Sequence, residues 1–286
     1  MIELRDIYYT RLGTRDLEAA EAFGTTVLGL QVVERTAERL YLKSDARHHT
    51  LAYFLGDPSE QIVAFEIKDW SKLGAAFEQL SKADVPCGMG SAAEAEDRHV
   101  DGFMWFQDPT GNRIEIVARP HDSGVRYFPS RDAGIVCFGH VGLCSTDPVR
   151  DQAFWLRHFN VMISDWIGPC PLLRVNERHH QMALFATDHK GIQHINFQVR
   201  EVDDVMRAWY FLQERGTRIV FGPGRHPTSG GNFLYFEGPD EVIFEYSNSD
   251  RKIIDDVANY RPRQFPLQPS SFCMWGSKPD IREFRG

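Results

Sequence analysis

GHVGLCSTDPVRDQAFWLRHFNVMISDW (residues 139–166) reads as a strand, a helix and a strand, and the same order opens the chain in IYYTRLGTRDLEAAEAFGTTVLGLQVVE (7–34). Laying LGTRD (12–16) over LCSTD (143–147) sets an offset of 131 positions, which also carries His49 of RHHTLAYF onto His180 of RHHQMALF. With drifts of about one residue at loops, VAFEI (63–67) falls on INFQV (195–199), and DPTGNRIE (108–115) falls on GPDEVIFE (238–245). Self-similarity at a fixed offset marks a repeated structural unit. Each half itself reads as two strand–helix–strands units. In the first half, RLYLKS and HTLAYFL follow the opening helix, and QIVAFEI, the amphipathic DWSKLGAAFEQLSKA and the FMWFQDPTGNRIEIVAR hairpin make the second unit. Thr14 or Asp16 is placed to cap a helix with Leu17, Ala20, Phe23, Val27 and Leu28 on its apolar face, and Gly29 to stop it. The expected domains are 1–120 and 135–260, joined by a connector over 121–134. A Pro-rich tail over 261–286 is expected to pack irregularly on the second half.

Composition narrows the function classes. A net charge of −8, with no clustered Lys/Arg stripe, argues against a nucleic-acid partner. No apolar run is long enough to span a membrane, and MIELRDIYY carries no signal-peptide pattern. The five cysteines form no CxxC pair and read as reduced thiols. A soluble, cytoplasmic protein is expected.

The chemistry concentrates in FGHVGLCST (138–146), GIQHINFQV (191–199) and GRHPTSGGNFLYFEGPDEVIFEYS (224–247). His140 and His194 each sit in an apolar strand, and Glu245 lies between Phe244 and Tyr246, where an ionised side chain is costly unless compensated. On the repeat, His140 matches Tyr9, His194 matches Ile62 and Glu245 matches Glu115. The second half has all three potential ligands and the first has only the carboxylate, so the second is expected to be the working copy. Strands of such units can curl into an open barrel-like cleft that gathers alternate side chains. Two imidazoles and one carboxylate on one face leave about three open positions on an octahedral ion, the arrangement of non-haem Fe(II) oxygenases. A structural zinc site would close with four ligands, usually including Cys.

Around these three, His180, His226 and Tyr235 are candidates for proton transfer and for stabilising an oxyanion. Each has a plainer reading: RHHQ as a solvated strand end, His226 as a loop-surface residue, Tyr235 as an ordinary strand aromatic. Strand alternation does not say which of His179 and His180 faces the cleft. Phe185, Trp166 and Phe197 can line an apolar pocket or belong to the core.

At these residues the chain resembles the two-domain type I extradiol ring-cleavage dioxygenases of the vicinal oxygen chelate superfamily. The likeness runs through GHVGL (139–143), NERHHQMALF (176–185), GIQHINFQV and the His, Tyr, Pro and Glu spacing of 224–247. It implies an α+β fold of tandem duplicated domains, each of two βαβββ modules, with a vestigial N-terminal domain. It implies Fe(II), less often Mn(II), held by His140, His194 and Glu245 in the C-terminal domain. A substituted catechol would chelate the metal through its vicinal oxygens beside dioxygen, with 2,3-dihydroxybiphenyl or an alkyl- or carboxyl-substituted catechol as substrate. His180 would then do acid/base work, and His226 and Tyr235 would bond substrate oxygen. Gly142, Leu172 and Ala183 fall where the family lines its pocket. Several members carry an Asp three residues beyond His226, where this chain has Ser229. A carboxylated catechol would require a basic pocket residue, for which Arg174 and Arg225 are the candidates. A homo-oligomer is expected. Two rival readings share the fold: glyoxalase-type lyases or epimerases, which would need a second ligand-bearing carboxylate, and metal-free binding proteins, which give no reason for His at both 140 and 194.

Overall fold

The computed structural model describes residues 1–248, 254, 256, 257 and 259–284. The strands of the first half are β1 (Leu4–Thr14), β2 (Gln31–Arg35), β3 (Arg39–Lys43), β4 (Leu51–Leu55), β5 (Gln61–Ile67), β6 (Cys87–Met89), β7 (Val100–Gln107) and β8 (Arg113–Pro120). Those of the second are β9 (Ile135–Ser145), β10 (Met162–Ile167), β11 (Cys170–Arg174), β12 (Met182–Ala186), β13 (Ile192–Val199), β14 (Ile219–Arg225), β15 (Asn232–Glu237) and β16 (Ile243–Asn248), with β17 (Arg263–Phe265) added from the tail. Helices α1 (Leu17–Ala22), α2 (Leu73–Ser81), α3 (Ala92–Glu96), α4 (Pro148–His158) and α5 (Val202–Glu214) lie between them, and α6 (Pro269–Phe272) lies in the tail. Each half is thus two βαβββ modules, apart from the short extra helix α3.

The two sheets share one topology: β2-β3-β4-β1-β5-β8-β7-β6 in the first half and β14-β15-β16-β13-β9-β12-β11-β10-β17 in the second. The outer strands do not pair with each other, so both sheets stay open, as expected. In each, the modules meet along an antiparallel pair of first strands (β1 with β5, β9 with β13), and each first strand runs parallel to the last strand of its own module. The registers confirm the repeat. Tyr9 pairs with Ala64 and Ala64 with Glu115; His140 pairs with Asn196 and Asn196 with Glu245.

Asp16 caps α1, accepting from the Ala19 amide at 2.9 Å. The helix is shorter than expected. It ends at Ala22 and widens into a π-type turn over Phe23–Val27, where the Thr25 and Thr26 hydroxyls bond back to the Glu21 and Ala22 carbonyls at 2.8 and 2.7 Å. Such hydroxyl–carbonyl bonds compete with regular helical pairing. The halves exchange contacts reciprocally. Phe23, just beyond α1, packs on Phe244 of the second sheet (5.4 Å between ring centroids), and Trp155 of α4 packs on Phe65 and Phe106 of the first (5.8 Å each).

The tail covers the second half but is more regular than expected. β17 runs parallel to β10, pairing Arg263 with Asp165, because β10 would otherwise present an edge of unpaired backbone groups. Residues 249–253, 255 and 258, inside the expected 135–260 domain, lie outside the described residues.

Trp155 is fully buried between the halves. Trp155→Ala should destabilise the protein by about 3–5 kcal/mol, the usual range for a large aromatic removed from a core. Calorimetry would show this as a lowered unfolding midpoint, whereas an unchanged midpoint would contradict the packing described.

Candidate metal centre

The pairing of three strands places the ligands. His140 on β9, Asn196 on β13 and Glu245 on β16 form one row across the sheet, and His194 lies two residues from Asn196 on the same face. All three candidate ligands are buried, Glu245 completely. His140 Nε2 lies 3.0 Å from Glu245 Oε2, His194 Nε2 lies 3.6 Å from the same oxygen, and the two Nε2 atoms are 3.1 Å apart. Neighbouring ligands held at ~2.1 Å from one ion stand about 3 Å apart, so this spacing fits a single metal. The tautomer of His194 fits as well. Its Nδ1–H donates to Gln193 Oε1, which leaves the Nε2 lone pair facing inward. Asn196 Nδ2 donates to Glu245 Oε2 at 2.8 Å and holds the carboxylate in place. Burial pushes the His194 imidazole down to about 3, with Glu245 opposing, so it is neutral and its nitrogen free to ligate. Burial alone would raise the Glu245 carboxyl, but the imidazoles of His140, His226 and His194 hold it below the usual carboxylate range.

Two hydrogen-bonded chains of side chains converge on this face. Asp165 accepts from His179 Nε2 at 3.1 Å, and His179 Nδ1 meets His180 Nδ1 at 3.0 Å. With His179 donating to the carboxylate, its Nδ1 is the acceptor, so His180 donates from Nδ1 and turns the Nε2 lone pair away from His179. The His180 ring lies 4.1 Å from that of His140. RHHQ lies in the loop ahead of β12 rather than in the strand expected, with His180 beside the candidate ligands and His179 behind it. Burial, reinforced by His140, His179 and His194, holds His180 well below the usual imidazole range. In the second chain, His226 Nδ1 donates to the Phe272 carbonyl at 2.7 Å, and its Nε2 stands 3.2 Å from the Tyr235 hydroxyl and 3.4 Å from Glu245 Oε1.

A cavity of about 380 Å³ opens on the face, lined by His140, His180, His194, His226, Tyr235 and Glu245 together with Ile167, Leu172, Ala183, Phe185, Ser229, Phe272 and Phe284. Gly142 is the exception among the expected pocket residues. It lies beneath the His194 ring, where a Cβ would come within 2.5 Å of Nδ1, so its role is to admit that ring. Phe197 belongs to the core, and Trp166 donates from its indole to Gln152 at 2.7 Å; neither lines the cavity. Arg174 turns to the Ile163 carbonyl and Ser164, and Arg225 to the Gly230 carbonyl. The arginine at the cavity is Arg178, ion-paired with Asp6 at 3.4 Å.

Sequence reasoning missed Asp165, Arg263, Phe272 and Phe284. The last three come from the tail, outside the repeat, where no internal comparison could flag them. Arg263 donates to Asp165 from Nε at 3.1 Å and from Nη2 at 2.6 Å.

The equivalent place in the first half is closed to a metal. Arg98 donates to both Glu115 oxygens at 2.9 and 2.8 Å, and the Tyr9 hydroxyl donates to Glu115 Oε2 at 2.6 Å. A guanidinium supplies the positive charge that, in the second half, an ion could supply.

The family model for the Glyoxalase/Bleomycin resistance protein/Dioxygenase superfamily matches residues 7–116 and 138–246. The chain belongs to that superfamily. It is 27% identical over 270 residues to a 1,2-dihydroxynaphthalene dioxygenase of Sphingobium xenophagum, covering 88% of this chain and 91% of that protein. It is 25% identical over 280 residues to an iron-dependent extradiol dioxygenase of Rhodococcus jostii, covering 89% and 92%. Among solved structures, the Mn(II)-bound glyoxalase from Novosphingobium aromaticivorans superposes with a TM-score of 0.86 at 22% identity, covering 100% of this chain and 95% of that one. The expected likeness to extradiol dioxygenases is borne out by the names of the relatives.

His194→Ala and Glu245→Gln should each abolish metal retention with the fold intact by circular dichroism, whereas Glu115→Gln should leave metal content unchanged. Retention of a full equivalent by the first two variants would contradict the ligand set. Asp165→Asn should lower turnover by about 10- to 100-fold at unchanged metal content, part of the ~10²–10⁴-fold that a positioned acid–base group contributes. Steady-state kinetics beside elemental analysis would check it.

Proposed function

We propose that this protein is an extradiol dioxygenase that opens the ring of a substituted catechol with both atoms of dioxygen. The observation that carries the reading is the single face on which two imidazole nitrogens and one carboxylate oxygen stand 3.0–3.6 Å apart beside an apolar cavity. His140, His194 and Glu245 would hold Fe(II), or Mn(II) in its place, and the ion would supply a Lewis-acid centre with open positions for the two catechol oxygens and dioxygen. The rest falls to the protein. His180, kept neutral by burial and oriented by His179 and Asp165, offers the Nε2 lone pair as acceptor for a catechol proton. Tyr235, whose phenol burial raises well above its ordinary range, stays protonated and remains a donor toward charge on a substrate oxygen. His226 Nε2 stands 3.2 Å from that hydroxyl, and its ring is fixed by Nδ1–H donating to the Phe272 carbonyl.

The cavity sets the substrate class. Its volume lies within the usual range for small-molecule sites, and Ile167, Leu172, Phe185, Phe272 and Phe284 make its wall apolar. A bicyclic catechol of the 2,3-dihydroxybiphenyl or 1,2-dihydroxynaphthalene kind suits such a wall, as does an alkyl catechol. Arg178, already paired with Asp6, favours a carboxylated one less. The reading includes a homo-oligomer in the cytoplasm; the five cysteines, none of them in a disulfide, suit a reducing compartment. Among the described residues, no helix is long and apolar enough to cross a membrane. The glyoxalase reading lacks the second carboxylate ligand it needs, because among the described residues Glu245 is the one carboxylate grouped with the two imidazoles, and Glu115 is occupied by Arg98.

The test is oxygen uptake by anaerobically purified, iron-reconstituted protein with a panel of catechols. One dioxygen consumed per catechol, a yellow product, and a kcat/KM at least about tenfold higher for a bicyclic substrate than for catechol are expected. Fully iron-loaded protein that consumes no oxygen with any member of the panel would overturn the proposal.

A further inference from the structure

The face that carries the metal ligands continues past them into a polar row that the first half does not repeat. Asn196 Nδ2 donates to Glu245 Oε2 and to Ser247 Oγ, at 2.8 Å each. Gln198 Nε2 donates to Asn196 Oδ1 at 2.9 Å and to the same Ser247 oxygen at 2.8 Å. Alternation puts Asn196 and Gln198 of β13 on one side of the sheet, with Glu245 and Ser247 of β16 beside them in register. Gly139 makes room for both amides: a Cβ there would come within 2.1 Å of Asn196 Oδ1 and 3.0 Å of Gln198 Nε2. In the first half the same registers set Ala64 beside Glu115 and Glu66 beside Val117, and the offset of 131 sets Tyr8 against Gly139. Its glutamate, held by Arg98, has no amide row behind it.

We propose that Gln198 and Ser247 are positioning residues for the metal, acting on Glu245 through Asn196; the inference rests on the ligand set assigned above. A carboxylate only accepts hydrogen bonds, so Asn196 turns its NH2 to Glu245 and its carbonyl away. That carbonyl needs a donor, and Gln198 supplies it. Ser247 accepts from both amides and ties them together. The direction of the row is therefore set at its metal end. Gln198 Oε1 is left buried, with no hydrogen-bond partner among the described residues. An orphaned acceptor is costly, but reversing the Gln198 amide would set two carbonyl oxygens against each other. The oxygen held by Asn196 is also the one that faces both imidazoles, 3.0 Å from His140 Nε2 and 3.6 Å from His194 Nε2, whereas Oε1 stands 3.4 Å from His226 Nε2. The row thus selects Oε2 as the oxygen offered to an ion. Outer contacts of this kind orient metal ligands and are worth about 10- to 100-fold in affinity.

Titration of the metal-free protein with Mn(II), followed by loss of the free-ion signal in electron paramagnetic resonance, tests this with neither catechol nor dioxygen present. Asn196→Ala should weaken Mn(II) binding by about 10- to 100-fold, and Gln198→Met by about tenfold. Ser247→Ala should fall between the wild type and Asn196→Ala. The double variant Asn196→Ala/Gln198→Met should bind no more weakly than Asn196→Ala alone, because Gln198 acts only through the amide already removed. Glu66→Gln, at the first-half counterpart of Gln198, should bind as the wild type does. If Asn196→Ala does not fold, Gln198→Met and Ser247→Ala decide the question by themselves. Wild-type affinity in both of these, or losses that add in the double variant, would overturn the positioning role. A wild type that takes up no Mn(II) would instead overturn the ligand set itself.

Discussion

A carboxylate with no exposure inside a sheet requires a positive partner, and that requirement organises this molecule. Both halves place a glutamate at the same position of the same strand, Glu115 on β8 and Glu245 on β16, each strand lying next to the antiparallel pair that joins the modules. Equivalent registers produce the same electrostatic problem twice. The first half answers with Arg98 and the Tyr9 hydroxyl, whereas the second sets two imidazole nitrogens 3.0 and 3.6 Å from the carboxylate, where a cation would supply the charge. An arginine closes the first site permanently. Lone pairs leave the second open to an ion that can bind ligands of its own, and that difference separates scaffold from chemistry.

The supporting structure serves this difference. Gly142 leaves room for His194 where the first half has Arg11, since each pairs with the matching position of the neighbouring strand. Gln193 and Asn196 fix the imidazole and the carboxylate from opposite sides. The tail adds Arg263 to the chain that ends at His180, and Phe272 and Phe284 to the cavity wall, with their rings stacked at 4.6 Å. A segment outside the repeat therefore completes a site built on the repeat.

Most of this architecture was legible in the sequence because duplication makes the chain its own alignment. The matches of His140 with Tyr9 and Glu245 with Glu115 are reproduced by the strand registers, and the two imidazoles and the carboxylate fall on one face, as alternation requires. Legibility failed where alternation or repetition carried no information. The pair His179–His180 lies in the loop ahead of β12, where strand alternation carries no information, and Asp165 behind His179 decides between the two imidazoles. The family resemblance placed Gly142 at the pocket wall, and a glycine has no side chain to reveal that it accommodates the His194 ring instead. Arg178, not Arg174 or Arg225, reaches the cavity because the latter two are engaged by nearby backbone carbonyls. The tail residues had no partner in the first half against which to be read.

The central claim is that one half of a doubled scaffold binds a catalytic ion where the other half binds its own arginine. X-ray diffraction from crystals of the iron-loaded protein, with an anomalous map at the iron absorption edge, tests it most directly. The account predicts a peak at ~2.1 Å from His140 Nε2, His194 Nε2 and a Glu245 oxygen, and none at Glu115. A fully iron-loaded crystal with no peak among those three atoms, or with its peak at Glu115, would contradict it.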